Sequence, residues 1–336
     1  PAFVTDEHGD FLYHQLQPRE LDSISTLSDF ELQSTRELTA EDYIYQIKRL
    51  ASPETHSPIL GLMSEYIVGL SDYAKLLKDR AKSGDILDIK GVEIEGVSLV
   101  DRYRYQIKVY GKYPQLRYWL AMPFFAAVPW EADLFYRQEE LIKRNITMDW
   151  FPVGTGPYQL TENDPNSQMV LEKNPYYRID QYPTEGEYSD SENGLLDDAN
   201  KRIPFVDKIV FLLEKEQTSY WNKFLQGYYD VSGISSDSFD QAIQVSSGGD
   251  FGLSQEMAEK GVQLRTAVGT STYYTGFNMQ DAVVGGNSEQ ARKLRQAISI
   301  AIDYEEYISI FLNGRGIAAQ GPIPPGIFGY KTGEAA

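Results

Sequence analysis

The segment Val153-Gly154-Thr155-Gly156-Pro157-Tyr158 is followed by a second one, Leu171-Glu172-Lys173-Asn174-Pro175-Tyr176-Tyr177. Glycine and proline in the first segment predict a tight turn. We expect Gly154 and Gly156 to let the backbone reverse where a side chain would clash. The residues Met169 to Glu172 predict a strand that leads into the second segment. The stretch therefore indicates a turn and a strand that ends in an Asn-Pro turn.

Catalytic and nucleotide-binding motifs are absent from this stretch and from the rest of the sequence. A dinucleotide loop would need a glycine where Gln159 stands, and Pro157 would disturb the helix N-terminus that binds pyrophosphate. The sequence has no Gly-Lys-Ser/Thr triplet and no Gly-x-Ser-x-Gly motif. No set of nucleophile, base and orienting group can be assembled from it. These absences favour a binding protein over an enzyme.

Composition limits the class of protein further. The 336-residue chain carries 31 Lys and Arg against 49 Asp and Glu, which gives a net charge of −18. Its length suggests about two domains, and a hydrophobic content of 42% excludes disorder as a description of the whole chain. The acidic balance argues against a nucleic-acid partner and against docking on anionic lipid, because both need clustered positive charge.

Cysteine and histidine usage argues against a cofactor. The chain has no Cys and only His8, His14 and His56, so disulfides, thiolate metal sites and iron–sulfur clusters are excluded and a His-based metal site is hard to build. The longest apolar stretch, Trp119 to Trp130, is too short for a transmembrane helix. The sequence starts at Pro1, so we expect any signal peptide to have been removed or to lie outside it.

Local patterns predict the elements of the first half of the chain. Thr39-Ala40-Glu41-Asp42 resembles a capping box and predicts a helix that ends before Pro53. We expect a second helix over 59–82 and a pair of strands with a solvated basic face over 92–109. Residues 118–145 predict a helical turn and then an amphipathic helix.

The second half alternates strands and helices around a polar insertion. Residues 180–202 predict an exposed loop whose acidic side chains do not follow the EF-hand order, so a solvated loop is favoured over a calcium site. The remaining predicted elements are strands at 206–213 and 262–268, helices at 219–226 and 289–302, a helix that Asp303 caps and Asn313-Gly314 ends, and an extended segment at 273–278. The class is mixed α/β.

Aromatic content is the main positive indication of a ligand site. The chain has 24 Tyr, 15 Phe and 4 Trp, and several of the tyrosines lie beside Gly or Pro rather than at helical spacing. Tyrosine offers stacking area, a polar hydroxyl and low rotamer entropy. Most of these rings suit a core or a strand, and we expect a minority to line a cleft for a polar ligand.

Several motifs together resemble a known family. Beside the two segments quoted first, they are Arg36-Glu37-Leu38-Thr39-Ala40-Glu41-Asp42-Tyr43, Phe224-Leu225-Gln226-Gly227-Tyr228-Tyr229-Asp230, Leu294-Arg295-Gln296-Ala297-Ile298 with Ala301-Ile302-Asp303, and Gly321-Pro322-Ile323-Pro324-Pro325-Gly326. In this order they resemble solute-binding protein family 5 of ABC transporters, which includes oligopeptide, dipeptide and nickel receptors. We expect Arg295 to anchor its helix through a carboxylate and Gly227 to precede a strand that contains Asp230.

The resemblance implies a two-lobed fold like that of type II periplasmic binding proteins. It places the first-lobe core at 1–40 and 147–277, an inserted subdomain at 41–146, and the start of an incomplete second lobe at 278–336. It also implies a monomer in the periplasm, or otherwise outside the cytoplasm, that closes over a peptide or another small polar solute and delivers it to the membrane subunits of an ABC permease.

The resemblance also places a candidate ligand site near a hinge. It consists of Tyr273, Tyr274, Phe277 and Asn278, which follow the end of a predicted strand where α/β crevices bind ligands. Alternation along an extended segment predicts that one of the two tyrosines is core and the other faces the cleft. Two alternatives remain open: the same scaffold could bind an oligosaccharide, an opine-like compound or a metal chelate, or the chain could be a hydrolase with two facing carboxylates.

Overall fold

The computed structural model of the chain describes residues 4–5, 11–12, 36–83, 89–150, 152–245 and 251–331. The chain divides into two compact units, Pro1–Leu213 and Glu214–Ala336. Within the described ranges, no helix has both the length and the apolar character needed to span a bilayer.

The first unit combines helices with small antiparallel sheets. Its helices are α1 (Ala40–Leu50), α2 (Leu60–Tyr66), α3 (Leu70–Lys82), α4 (Leu116–Leu120), a 3-10 helix (Pro123–Phe125), α5 (Trp130–Tyr136), α6 (Glu139–Lys143) and α7 (Tyr188–Glu192). Its strands are β1 (Val4–Thr5), β2 (Phe11–Leu12), β3 (Val97–Asp101), β4 (Arg104–Ile107), β5 (Tyr158–Asn163), β6 (Gln168–Lys173), β7 (Asp180–Gln181), β8 (Arg202–Ile203) and β9 (Lys208–Leu212). Strands β5, β6 and β9 form a three-stranded sheet, and β1–β2, β3–β4 and β7–β8 form separate pairs.

The core of the first unit lies where α1, α2 and α3 meet the β3–β4 pair. Ile47, Leu50, Met63, Leu70 and Leu77 are each at most 2% exposed. Ile47 and Leu50, which both belong to α1, share one face of that helix, as their spacing predicts. The predicted start of α1 is also confirmed. The backbone N–H of the N-cap residue Thr39 donates to a carboxylate oxygen of Asp42 at 2.9 Å.

The prediction of one continuous helix over 59–82 is wrong, because the chain breaks between α2 and α3. Gly69 adopts φ +76°, a conformation that favours glycine. The N–H of Val68 donates to the carbonyl of Lys108 at 3.1 Å, and its carbonyl accepts from Gly96 at 3.0 Å. Backbone groups that would continue a helix are thus paired with distant residues. A Cβ on Gly96 would lie only 2.3 Å from the Val68 carbonyl oxygen.

The chain bends within 153–158 as predicted, but the expectation that a side chain at Gly154 or Gly156 would clash is wrong. A Cβ at Gly154 would meet nothing within 4 Å, and one at Gly156 would meet only the Tyr158 carbonyl oxygen at 3.9 Å. Asn174 closes the turn instead. Its side-chain amide donates to the Gly156 carbonyl at 3.0 Å, and its backbone N–H donates to the Pro157 carbonyl at 2.9 Å.

The segment 180–202, predicted to be a loop without regular structure, contains the β7–β8 pair and α7. Asp190 accepts a hydrogen bond from the backbone N–H of Glu187 at 2.9 Å and thereby caps α7. Asp198 forms an ion pair of 2.5 Å with Lys201. These carboxylates therefore have local structural roles.

The second unit is smaller. It contains α8 (Gln217–Leu225), α9 (Phe239–Ala242), α10 (Gln255–Glu259), α11 (Glu289–Ile300), α12 (Tyr304–Leu312), and the antiparallel strands β10 (Ile243–Val245) and β11 (Phe251–Leu253). Trp221, Phe239, Ala242, Ile243 and Met257 form its buried cluster. The predicted helices at 219–226 and 289–302 are confirmed as α8 and α11.

The predicted strand at 262–268 is wrong, since this segment has no regular structure. The predicted alternation of buried and exposed side chains is nevertheless present. Val262 and Leu264 pack against the buried cluster, and the residues between and after them are exposed. Asp230 also lies outside any strand. A strand needs a partner as well as a pattern, and neither segment pairs with a strand among the described residues.

Candidate functional site

The predicted site residues lie in an extended segment that precedes α11. Tyr273 and Tyr274 are 92% and 87% exposed, so the expectation that one of them is core is wrong for this unit. The segment is attached to the rest of the unit through Thr272, whose hydroxyl donates to the Pro322 carbonyl at 3.4 Å. Both rings are therefore open to solvent.

Phe277 and Asn278 have different surroundings. Phe277 is half-buried and lines a hollow beside α11. The side-chain oxygen of Asn278 accepts from the N–H of Gln280 at 3.0 Å, and its carbonyl accepts from the N–H of Asp281 at 3.1 Å. Asn278 thus uses its side-chain oxygen to begin a turn, whereas Phe277 presents a ring to the hollow.

The hollow has a volume of about 530 Å³. Its lining residues are Phe277, Arg292, Arg295, Gln296, Ser299 and Ile300. The residues from α11 recur three and four positions apart, so they share one side of the helix. Ser288 starts this helix by accepting from the backbone N–H of Ala291 at 3.2 Å. Helical geometry thus brings together residues that are separate in the sequence.

Arg295 holds the turn at 281–286 against α11. Its Nη1 donates to the carbonyls of Val284 at 2.6 Å and Gly286 at 3.1 Å. The expectation of a bidentate contact with a carboxylate is therefore wrong, since the acceptors are neutral backbone oxygens. Asp281 shapes the same turn by accepting from two backbone N–H groups, and these hydrogen bonds lower the pKa of its carboxyl.

Buried carboxylates elsewhere are held by arginines. Arg36 contacts Asp42 at 2.5 Å and Glu131 at 2.6 Å, so its positive charge bridges two buried carboxylates. Asp133 forms ion pairs with Arg49 at 2.9 Å and with Arg137 at 2.8 Å. This arrangement joins α1 to α5 and does not leave two free carboxylates facing each other as a hydrolase would require.

Metal ligands are sparse in the part of the chain that the structure describes. No three His, Cys, Asp or Glu side chains of that part are grouped so that they could hold a metal ion. His56 is an exposed loop residue with φ +48°, and His8 and His14 lie outside the described residues.

Comparison with known proteins identifies the family. The model of bacterial extracellular solute-binding proteins, family 5, matches residues 33–336. The chain belongs to this family. A comparison with curated proteins finds no match.

Solved structures show that this member has the fold of type II periplasmic binding proteins. The periplasmic binding protein DppA of Helicobacter pylori, in complex with the peptide STSA, is 16% identical with a TM-score of 0.56, and the match covers 91% of this chain and 48% of DppA. A dipeptide-binding protein of Pseudoalteromonas sp. SM9913, in complex with Met-Leu, is 18% identical with a TM-score of 0.51 over 90% of this chain and 47% of its own. The chain thus spans about half the length of these proteins.

Phe277 was predicted as a site residue, but the residues of α11 that line the hollow with it were not. Gln296 belongs to a motif that was quoted only for the family resemblance, and Arg292 and Ser299 belong to none of the quoted motifs. The only indication of their common position is their spacing along α11. That spacing shows that they share a helix face, but it does not show that Phe277 lies opposite.

Proposed function

We propose that this family member is the extracytoplasmic solute-binding component of an ABC importer, and that it binds peptides or peptide-like solutes by closure of two lobes. The match to the solute-binding family over residues 33–336 carries the proposal. Two proteins of the same fold have solved structures in complex with peptides, which favours a peptide over other solutes. Delivery to the membrane permease, action as a monomer and the two-lobed layout predicted from the sequence form part of this proposal.

The exposed aromatic residues suit such a ligand. Tyr273 and Tyr274 present rings and hydroxyls to solvent. The half-buried Phe277 follows three residues after Tyr274 in the sequence. Rings of this kind stack on the planar amides and apolar side chains of a peptide at low entropic cost. We therefore assign Tyr273, Tyr274, Phe277 and Asn278 to the peptide site.

Thermal-shift measurements with short peptides, oligosaccharides and nickel chelates test the proposed function. A ligand present at about 100 times its dissociation constant adds roughly 2.7 kcal/mol to the free energy of unfolding, which is readily detected. We expect a shift with peptides. A shift only with sugars or chelates would replace the proposed solute, and no shift with any of the three classes would refute peptide binding.

Single substitutions test the site assignment. Because successive side chains of an extended segment ordinarily face opposite sides, we expect Tyr273→Ala and Tyr274→Ala to weaken peptide binding to different extents. Gly269→Ala is a control in the same exposed segment, since a Cβ there meets nothing within 4 Å. Wild-type affinity in both tyrosine variants would refute the assignment.

A further inference from the structure

One segment of the first unit has a charge opposite to that of the whole chain. Asp and Glu make up 49 of the 336 residues, yet none of them occurs in the range 102–130, which contains five Lys and Arg. Two of these five are paired with carboxylates that lie outside the range. Arg102 forms an ion pair with Glu37, and Arg104 forms one of 2.6 Å with Asp101. The other three have no acidic residue within the range.

Lys108, Lys112 and Arg117 carry this remaining positive charge. Each of them is exposed, and none forms an ion pair or a side-chain hydrogen bond with another residue in the part of the chain that the structure describes. All three lie in the range 108–117, and the chain turns within that range at Gly111, which adopts φ +64°. They therefore belong to one small surface.

Packing against the core of the first unit directs these side chains outward. Ile107, the last residue of β4, packs against that core, so Lys108 faces the opposite side of the extended chain. On α4, Trp119 packs against the same core, whereas Arg117 and Tyr118 are exposed. Both elements thus turn an apolar side inward and a cation outward.

Exposed aromatic rings accompany the cations. Tyr110 is 58% exposed and Tyr118 is 71% exposed. Tyr113, which lies between them, is fixed, because its ring stacks on Tyr66 with the centroids 3.6 Å apart and its hydroxyl accepts from the Trp119 Nε1 at 2.7 Å. The backbone that carries the exposed rings is therefore held in place. We call this set of side chains the basic surface: Lys108, Tyr110, Lys112, Arg117 and Tyr118.

The basic surface suits a bilayer that contains anionic lipids. Lys and Arg close to such a bilayer are attracted by its negative surface potential. Tyrosine suits the headgroup region, because its ring is apolar and its hydroxyl is polar. The net charge of −18 opposes the approach of the chain as a whole, but salt at physiological concentration screens charges beyond about 8 Å. The charges of the basic surface itself therefore determine what it contacts.

We infer that the basic surface docks on the anionic headgroups of a bilayer and so holds the protein at the membrane. This inference goes beyond the proposed peptide-binding function, because it concerns the first unit and none of the residues assigned to the peptide site. It requires no bound peptide. A failure of lipid binding would therefore leave the proposed function unchanged.

Co-sedimentation of the protein with vesicles tests the inference. One set of vesicles consists of phosphatidylcholine, and the other consists of phosphatidylcholine and phosphatidylglycerol in equal parts. Each Lys or Arg near an anionic bilayer contributes about fivefold to the partition coefficient, so three should give roughly tenfold or more at low salt even against the repulsion of nearby carboxylates. The preference should disappear at high salt. Equal partitioning into the two sets at low salt would overturn the inference.

A triple variant shows whether the basic surface is responsible. Lys108→Gln, Lys112→Gln and Arg117→Gln together should abolish the preference for anionic vesicles. All three positions are exposed, so the urea midpoint of the first unit should stay close to that of the wild type. An unchanged preference in this variant would overturn the assignment to the basic surface.

The matched control removes the same charges from another exposed face of the first unit. It combines Lys75→Gln, Lys78→Gln and Arg80→Gln on α3, where Asp72 and Asp79 are exposed among the cations. This variant should retain the preference for anionic vesicles. A loss as large as that in the first variant would show that total charge, rather than the basic surface, determines binding, and would overturn the inference.

Poly-aspartate distinguishes a bilayer from an acidic protein as the partner. It offers carboxylates at high density but no headgroup region for the tyrosine rings. We expect it to displace the protein from anionic vesicles only weakly at equal concentration of negative charge. Binding of the protein to poly-aspartate without binding to anionic vesicles would overturn the inference and assign the basic surface to an acidic protein.

Discussion

Replacing Asp133 by Asn should strongly destabilise the first unit. This carboxylate is 5% exposed and accepts from the Tyr45 hydroxyl at 2.6 Å, the Arg49 Nε at 2.9 Å and the Arg137 Nη2 at 2.8 Å. Asparagine has nearly the same volume, but it removes the charge and replaces one acceptor by an NH₂ group that faces other donors. Loss of one partner of a buried ion pair costs about 3–5 kcal/mol. Because both arginines retain some contact with water, we expect about 3 kcal/mol.

Urea unfolding with hydrogen exchange measures this effect. Exchange of the α1 amides reports on the unit that contains Asp133, independently of the other unit. With a slope of about 1–3 kcal/mol per molar urea, the midpoint should fall by about 1 M or more. Asp79→Asn is the matched control, since Asp79 forms an exposed ion pair of 3.3 Å with Lys82, and its loss should cost less than about 0.5 kcal/mol. Equal midpoints for the two variants would refute the structural role of Asp133.

Three further predictions concern stability. Gly96→Ala should lower the free energy of unfolding by about 2 kcal/mol, because its Cβ would clash with a backbone carbonyl. Gly61→Ala, in open space on α2, should raise the free energy of unfolding by up to about 1 kcal/mol. Urea unfolding of both variants tests this prediction. Burial raises the pKa of Tyr45 and of Tyr136, so the stability that each contributes is complete below about pH 10 and is lost as pH rises further. An absorbance titration in which both ionise with the exposed tyrosines, before unfolding, would contradict this. Asp303→Ala removes the N-cap bond of α12 and should cost about 1 kcal/mol, measured as faster hydrogen exchange in that helix.

Features set by local residues could be predicted from the sequence. The starts of α1 and α12 were predicted because a capping side chain lies within three residues of the N–H that it contacts. The end of α8 was predicted because Gly227, at φ +80°, adopts a conformation that favours glycine. In each case the interaction that decides the boundary lies within a few residues of it.

Features set by distant partners could not be predicted in the same way. The break between α2 and α3 depends on the pairing of Val68 with Lys108 and Gly96, and no pattern within 59–82 contains that information. The strand predicted at 262–268 failed because side-chain alternation does not supply a neighbouring strand.

The candidate site shows the same division. Phe277 was predicted because the family resemblance places a hinge near it, after the end of a predicted strand. Arg292 was missed because an arginine on a helix ordinarily indicates a solvated face. Its position beside Phe277 in the hollow is a property of the folded unit.

Calorimetric titration of the protein with an equimolar mixture of short peptides tests the central claim most directly. We predict saturable binding of peptides, and no comparable binding when oligosaccharides or nickel chelates replace them. Binding of a sugar or a chelate without binding of peptides would contradict the proposed peptide-binding function.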